Sequence, residues 1–140
     1  MTASPSLQER NKALVREVTE KFLGRRDPSA VDRYFSPKYI QHNPQAAPGP
    51  EGVKAFFAQL FQALPDLRIE VDHLYAEGDR VFSFMRWHGT HRGPLFGFPP
   101  SNKEIVIRTA EIFRIENGLM AEHWDVVDPS DLVAKATGQG

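Results

Sequence analysis

The run AEHWDVVD, residues 121–128, sets a histidine and a carboxylate, His123 and Asp125, two positions apart. On a strand that spacing puts both side chains on one face, with Ala121 and Val127 flanking them on the same face. A solvent-facing strand has no need of apolar flanks. A plain core face would not tolerate the carboxylate unless it were paired or had its pKa raised. The stretch therefore reads as the wall of a pocket that carries an acid/base pair. The competing reading is bland, with Asp125 a solvated strand carboxylate and His123 a satisfied structural histidine.

A second carboxylate, Glu111, joins or leaves this pair according to the turn at Glu116-Asn117-Gly118. A two-residue type I′ turn at Asn117-Gly118 sets Glu116 opposite Leu119 and puts Glu111 across from Trp124, away from Asp125. A three-residue loop with Gly118 as a left-handed bulge sets Ile115 opposite Leu119 instead. It then brings Glu111 opposite His123 and Thr109 opposite Asp125. The second register is preferred, because it gathers Thr109, Glu111, His123 and Asp125 and leaves Ile112, Met120, Trp124 and Val126 on the other side. Arg86 and His88 also share a strand face, but nothing local says which face points inward. His88 and His91 are three apart, which on a strand sends them to opposite faces and argues against a metal pair.

The elements that must position these residues follow from periodicity. Leu7, Leu14, Val18 and Phe22 form a helical stripe over residues 7–23, with Ser6 as N-cap and Gly24 as stop. Asp27 and Pro28 open a short second helix that ends before Pro37. The segment KYIQHNPQAAPGP is irregular, and a third helix follows it, with Val53, Phe56, Phe57, Leu60, Phe61 and Leu64 as a broad apolar face. From Leu67 the period changes to two. Four strands are predicted, LRIEVDHLY, RVFSFMRWHGTH, KEIVIRTAEIFRI and LMAEHWDVV, and then a final helix over PSDLVAKA. Helices first and antiparallel strands afterwards give an α+β layout, with the helices on one side of a single sheet.

The totals bound the function. A chain of 140 residues fits one domain, and a formal charge of -1 gives no bias toward nucleic acid. The absence of cysteine excludes disulfides, thiolate metal sites and cysteine nucleophiles. No signal peptide pattern and no apolar run near the roughly 20 residues of a membrane span is present, so a cytoplasmic protein without membrane contact is expected.

Three stretches together, DPSAVDRYFSPKYIQHNP, GDRVFSFMRWHGTHRGPLFGFPPSNKEI and EIFRIENGLMAEHWDVVD, resemble the SnoaL-like polyketide cyclases. That family belongs to the nuclear transport factor 2-like superfamily, and the likeness runs over about residues 8–135 of a single domain. The resemblance implies a cone-shaped barrel, a strongly curved antiparallel sheet closed by three N-terminal helices around a hollow for a small, mostly apolar ligand. It places the family's general acid/base on Asp125. His123 and Glu111 fall on cavity-lining positions, and Tyr39, His42 and Asn43 fall where a lid crosses the pocket. In limonene epoxide hydrolases, more distant relatives, the partner arginine and second aspartate would fall near Arg86 and His88. One departure is Ser101-Asn102, where the cyclases usually carry Thr-Gly.

The leading expectation is a cofactor-independent enzyme in which Asp125 removes a proton next to a carbonyl and starts an aldol-type closure. His123 would assist the developing oxyanion, and Asn43 or His42 would donate from the lid. Two alternatives stand beside it. One is an epoxide or ester hydrolase; the other is a non-catalytic binder whose hydrophobic ligand is enclosed by Phe57, Phe61, Phe84, Phe96 and Phe98. The partners expected are a small hydrophobic molecule and a second copy of the chain, paired through Ile112, Met120, Trp124 and Val126.

Overall fold

The computed structural model describes residues 6–44 and 46–138. Helix α1 (Leu7–Glu17) starts where the Ser6 side chain accepts the Glu9 backbone N–H at 3.1 Å. It runs on as a π-helix through Val18–Leu23 and stops at Gly24. Val15, Val18, Thr19, Phe22 and Leu23 are all buried, at the i, i+3, i+4, i+7, i+8 spacing of one helix face, while Leu7 stays exposed. Asp27 caps the next segment as expected, accepting from the Ser29 N–H at 3.1 Å. A 3₁₀ turn, Pro28–Ala30, leads into a single α-helical turn, α2 (Val31–Tyr34).

Here the expected layout of three helices followed by strands fails. Phe35 turns extended at φ -113 and ψ 138, and β1 (Phe35–Gln41) begins. Pro37 excludes the preceding residue from the helical region and offers no N–H to a ladder, so the segment suits an edge strand. β1 pairs in parallel with β5 (Leu119–Asp128), and the sheet order is β1-β5-β4-β3-β2. The remaining strands are β2 (Arg68–Glu77), β3 (Arg80–Thr90) and β4 (Glu104–Glu116), antiparallel to their neighbours. The sheet is thus mixed rather than antiparallel, and it is open, with β1 and β2 as its edges. The expected barrel closed by three N-terminal helices is not what forms. Helix α3 (Gly49–Ala63) follows β1, and α4 (Ser130–Ala136) ends the fold.

Two bulges decide which side chains face inward. In β2 the register slips between Val71 and His73, so Leu74 and Ala76 pair with the inward Ser83 and Val81, while His73 and Tyr75 pair with the outward Phe84 and Phe82. In β4–β5 the turn is the two-residue form, with Glu116 opposite Leu119 and positive φ at Asn117 (52) and Gly118 (74). The three-residue loop is therefore corrected. A bulge then inserts Ala121 between the pairs Ile115–Met120 and Arg114–Glu122, and it sets Glu111 opposite Asp125. Relative to the three-residue register this is an even shift, so Glu111 stays on the His123 face. It also turns Met120 inward, 1% exposed, which removes it from the outer face expected for it. No described helix is long and apolar enough to cross a membrane.

Candidate active site

Between the sheet and helices α1 and α3 lies a cavity whose walls are mostly apolar, with aromatic rings from Phe22, Phe35, Phe56, Phe57, Trp87 and Phe113 among aliphatic side chains. About 80 Å³ of it is open to the centres of water-sized molecules, several times what one water needs. The polar side chains that converge in it come from β1, the Asn43 loop, β4 and β5: Tyr39, Gln41, Asn43, Thr109, Glu111, His123 and Asp125; Thr19 also lines the wall but spends its hydroxyl on the Val15 carbonyl.

These groups form one hydrogen-bonded chain. Trp87 Nε1 donates to Thr109 Oγ1 at 2.9 Å, and Thr109 Oγ1 donates to Glu111 Oε2 at 3.0 Å. Glu111 Oε1 meets His123 Nε2 at 2.9 Å, and His123 Nδ1 meets Gln41 Oε1 at the same distance. The imidazole also stacks on Phe113, with centroids 4.7 Å apart, so ring position and orientation are both fixed. Asp125 accepts from Asn43 Nδ2 at 2.8 Å. Burial pushes the Asp125 carboxyl above the usual carboxylate range; His123 and the Asn43 amide offset part of this, and Glu111 adds to it. A half-buried carboxyl whose charged form burial disfavours, beside an ordered histidine, can take a proton from a weak acid and return it.

The ligand-type atoms of Glu111, His123 and Asp125 lie within 4.8 Å of one another, the composition of a divalent-cation site assembled from two strands. His123 and Glu111 already hold each other across one hydrogen bond. His88 and His91 do not meet: His88 is on β3, whereas His91 lies beyond the strand, fully buried, with Nδ1 3.0 Å from Ser101 Oγ.

Several predicted residues stand elsewhere. His42 is exposed, pairs with Glu122 at 2.8 Å and stacks on Trp124 outside the cavity. Arg86 and His88 lie on the far face of the sheet, because inward positions on β3 are Val81, Ser83, Met85 and Trp87. There Arg86 bonds Glu70 at 2.6 Å and Asp72 at 2.7 Å, and His88 approaches Glu70 at 3.3 Å. Phe61 is buried behind the lining, against Phe22 and Phe57. Phe84 faces outward beside His73, and Phe98 lies in the loop after β3 without reaching the cavity wall. Phe96 does reach it, and it stacks on Phe56 at the wall.

Gln41, Trp87 and Phe56 were not anticipated at the site. The only sequence signal for Gln41 was the alternation Phe35, Tyr39, Gln41 within a segment that reads as irregular. Asn102 takes φ 60, a conformation asparagine tolerates, so the Ser-Asn departure keeps the backbone a glycine would allow.

The profile of the family described as SnoaL-like polyketide cyclase matches residues 13–135. Among solved structures, TsrD from Streptomyces laurentii is 33% identical with a TM-score of 0.80, over 91% of this chain and 97% of that one. A proposed SnoaL-like polyketide cyclase from a Jannaschia species is 25% identical with a TM-score of 0.83, over 98% of each chain. The proposed hydroxylase AclR from Streptomyces galilaeus is 26% identical with a TM-score of 0.81, over 91% of this chain and 81% of that one. No curated protein matches.

Proposed function

The chain belongs to the SnoaL-like polyketide cyclase family, and from that premise we propose that it performs cofactor-independent acid/base chemistry on a hydrophobic carbonyl compound, with Asp125 as the general base. The observation that carries this reading is a half-buried carboxyl, raised in pKa, among the polar groups of an otherwise apolar cavity. Asp125 takes a proton from a carbon next to a carbonyl. The enolate carbon attacks a second carbonyl of the same molecule, forming the carbon–carbon bond, and the resulting alkoxide recovers the proton from Asp125. One positioned base contributes about 100- to 10,000-fold. Glu111 and Thr109 orient His123 beside this base, and the aromatic walls exclude water that would quench the enolate.

An epoxide or ester hydrolase is the weaker reading. The positions that would supply its arginine and second acid, Arg86 and His88, are on the opposite side of the sheet. Ligand binding without chemistry would not require Glu111, His123 and Asp125 to converge. The test is solvent deuterium exchange, followed by proton NMR, at the carbon between the two carbonyls of small aromatic β-keto esters. The expected result is exchange accelerated by the protein and lost in Asp125→Asn. Equal exchange by both proteins would exclude Asp125 as the base.

A further inference from the structure

We propose that the Tyr39 hydroxyl donates the hydrogen bond to the substrate oxygen on which negative charge develops, and that Gln41 is the positioning residue that aims it. The proposal rests on the carbonyl chemistry proposed above, where that charge needs a donor. Neither lid residue expected to supply one is available for it in this arrangement. His42 points outward to Glu122, and the Asn43 side-chain amide is engaged by Asp125.

The direction of each hydrogen bond follows from one fixed point. The Asn43 backbone N–H lies 3.1 Å from the Gln41 side chain and can only donate, so the amide oxygen of Gln41 must face it. His123 Nδ1 meets the same oxygen and therefore carries a proton. The amide nitrogen of Gln41 is left facing the Tyr39 oxygen at 3.1 Å, where it donates. Tyr39 thus accepts, and its own proton has no acceptor among the described residues. The phenol is 4% exposed, lines the same cavity as Asp125, and has its ring held edge-on against Phe35 at 4.9 Å. Burial, with Glu111 and Asp125 adding to it, keeps the phenol protonated. A buried hydroxyl with its lone pair engaged and its proton unclaimed is built to donate to an incoming oxygen.

The test uses 4-nitrophenol, whose phenolate mimics the enolate oxygen and is read from its visible absorbance. It is bound to the Asp125→Asn protein, which lacks the charge that would repel it; the titratable groups facing the phenol are then Glu111 and His123. The phenolate is expected to bind, with the bound phenol ionising at lower pH than the free one. Adding Tyr39→Phe should weaken phenolate binding by about tenfold, the size of one hydrogen bond to a charged group. Adding Gln41→Met should raise the pH of ionisation of the bound phenol, and nitrobenzene, which has no oxyanion, should bind all three proteins alike. Equal phenolate binding with and without the Tyr39 hydroxyl, or no phenolate binding at all, overturns the donor role. Parallel loss of nitrobenzene overturns it too, by showing collapse of the cavity. An unchanged ionisation in Gln41→Met removes Gln41 from the proposal. Because the experiment is run without the Asp125 charge and without turnover, its failure leaves the Asp125 assignment to the deuterium exchange.

Discussion

Replacing Asp125 by asparagine separates a base held ready for chemistry from a carboxylate that holds the fold together. The change keeps the side-chain volume and leaves Asn43 Nδ2 facing an amide oxygen, so the 2.8 Å contact survives as a neutral hydrogen bond. Two effects then oppose each other. The bond to Asn43 loses its charge assistance, a matter of about 1 kcal/mol. Against that, a group disfavoured by burial, and further by Glu111, no longer has to ionise. The net change at neutral pH is expected within about 1 kcal/mol, or about 4 °C in melting temperature for a domain of this size. The sign depends on pH. The folded-state pKa of Asp125 lies above its unfolded value, so the native protein binds the proton more tightly than the unfolded chain. The stability this confers is present below the unfolded pKa and is lost as pH rises through the folded one. Melting curves of both proteins from acid to neutral pH should therefore show wild type losing ground to Asp125→Asn across that window. A carboxylate pinned for structure would give the reverse, a loss of about 1–3 kcal/mol in the variant at neutral pH. That result would refute a catalytic Asp125.

Other perturbations test the scaffold and the assembly. Phe96 sits at φ 49 beside Gly97 at φ 83, in a tight turn closed by Leu95 and Phe98, so Phe96→Asn relieves backbone strain while giving up a half-buried ring packed on the core; the two effects, each about 1 kcal/mol, should leave the melting temperature within about 4 °C of wild type. The same variant should weaken nitrobenzene binding, since the stacked partner of Phe56 is gone. Gly89→Ala would place a methyl 2.9 Å from Leu64 Cβ and 3.3 Å from Asp66 Oδ1, where fully buried Leu64 cannot yield. A loss of about 1–3 kcal/mol is expected, read as a lower urea midpoint at constant slope. On the outer face Val126 is 74% exposed, Tyr75 62% and Ile112 38%, and we infer a homodimer that covers them. Sedimentation should give twice the chain mass for wild type and the single mass for Val126→Glu; a monomeric wild type at micromolar concentration removes the inference.

The contrast between β1 and β5 explains which parts of the site were legible in the sequence. On β5 the stretch His123-Trp124-Asp125-Val126 alternates polar and apolar residues without a proline, so His123 and Asp125 are assigned to one face from spacing alone. β1 carries Pro37, exposes Ile40 and follows a helix of a single turn, so its periodicity is too short to outweigh the helical signals of Asp27 and Pro28. Gln41 went unseen for that reason, and with it the link between Tyr39 and His123. β3 failed differently. Both its faces are apolar, Val81, Met85 and Trp87 on one side and Phe82 and Phe84 on the other, so alternation exists but carries no sign, and Arg86 and His88 had even claims to either side. Bulges are the third source of error, because one inserted residue reverses the facing of everything beyond it. At Ala121 that reversal brought Met120 inward, yet with the two-residue turn it returned Glu111 to the face of Asp125. The carboxylate reached the expected face through a turn and a bulge that periodicity could not specify. Facing at a pocket wall is a global property of strand register, whereas the residue types that could do chemistry there are a local one.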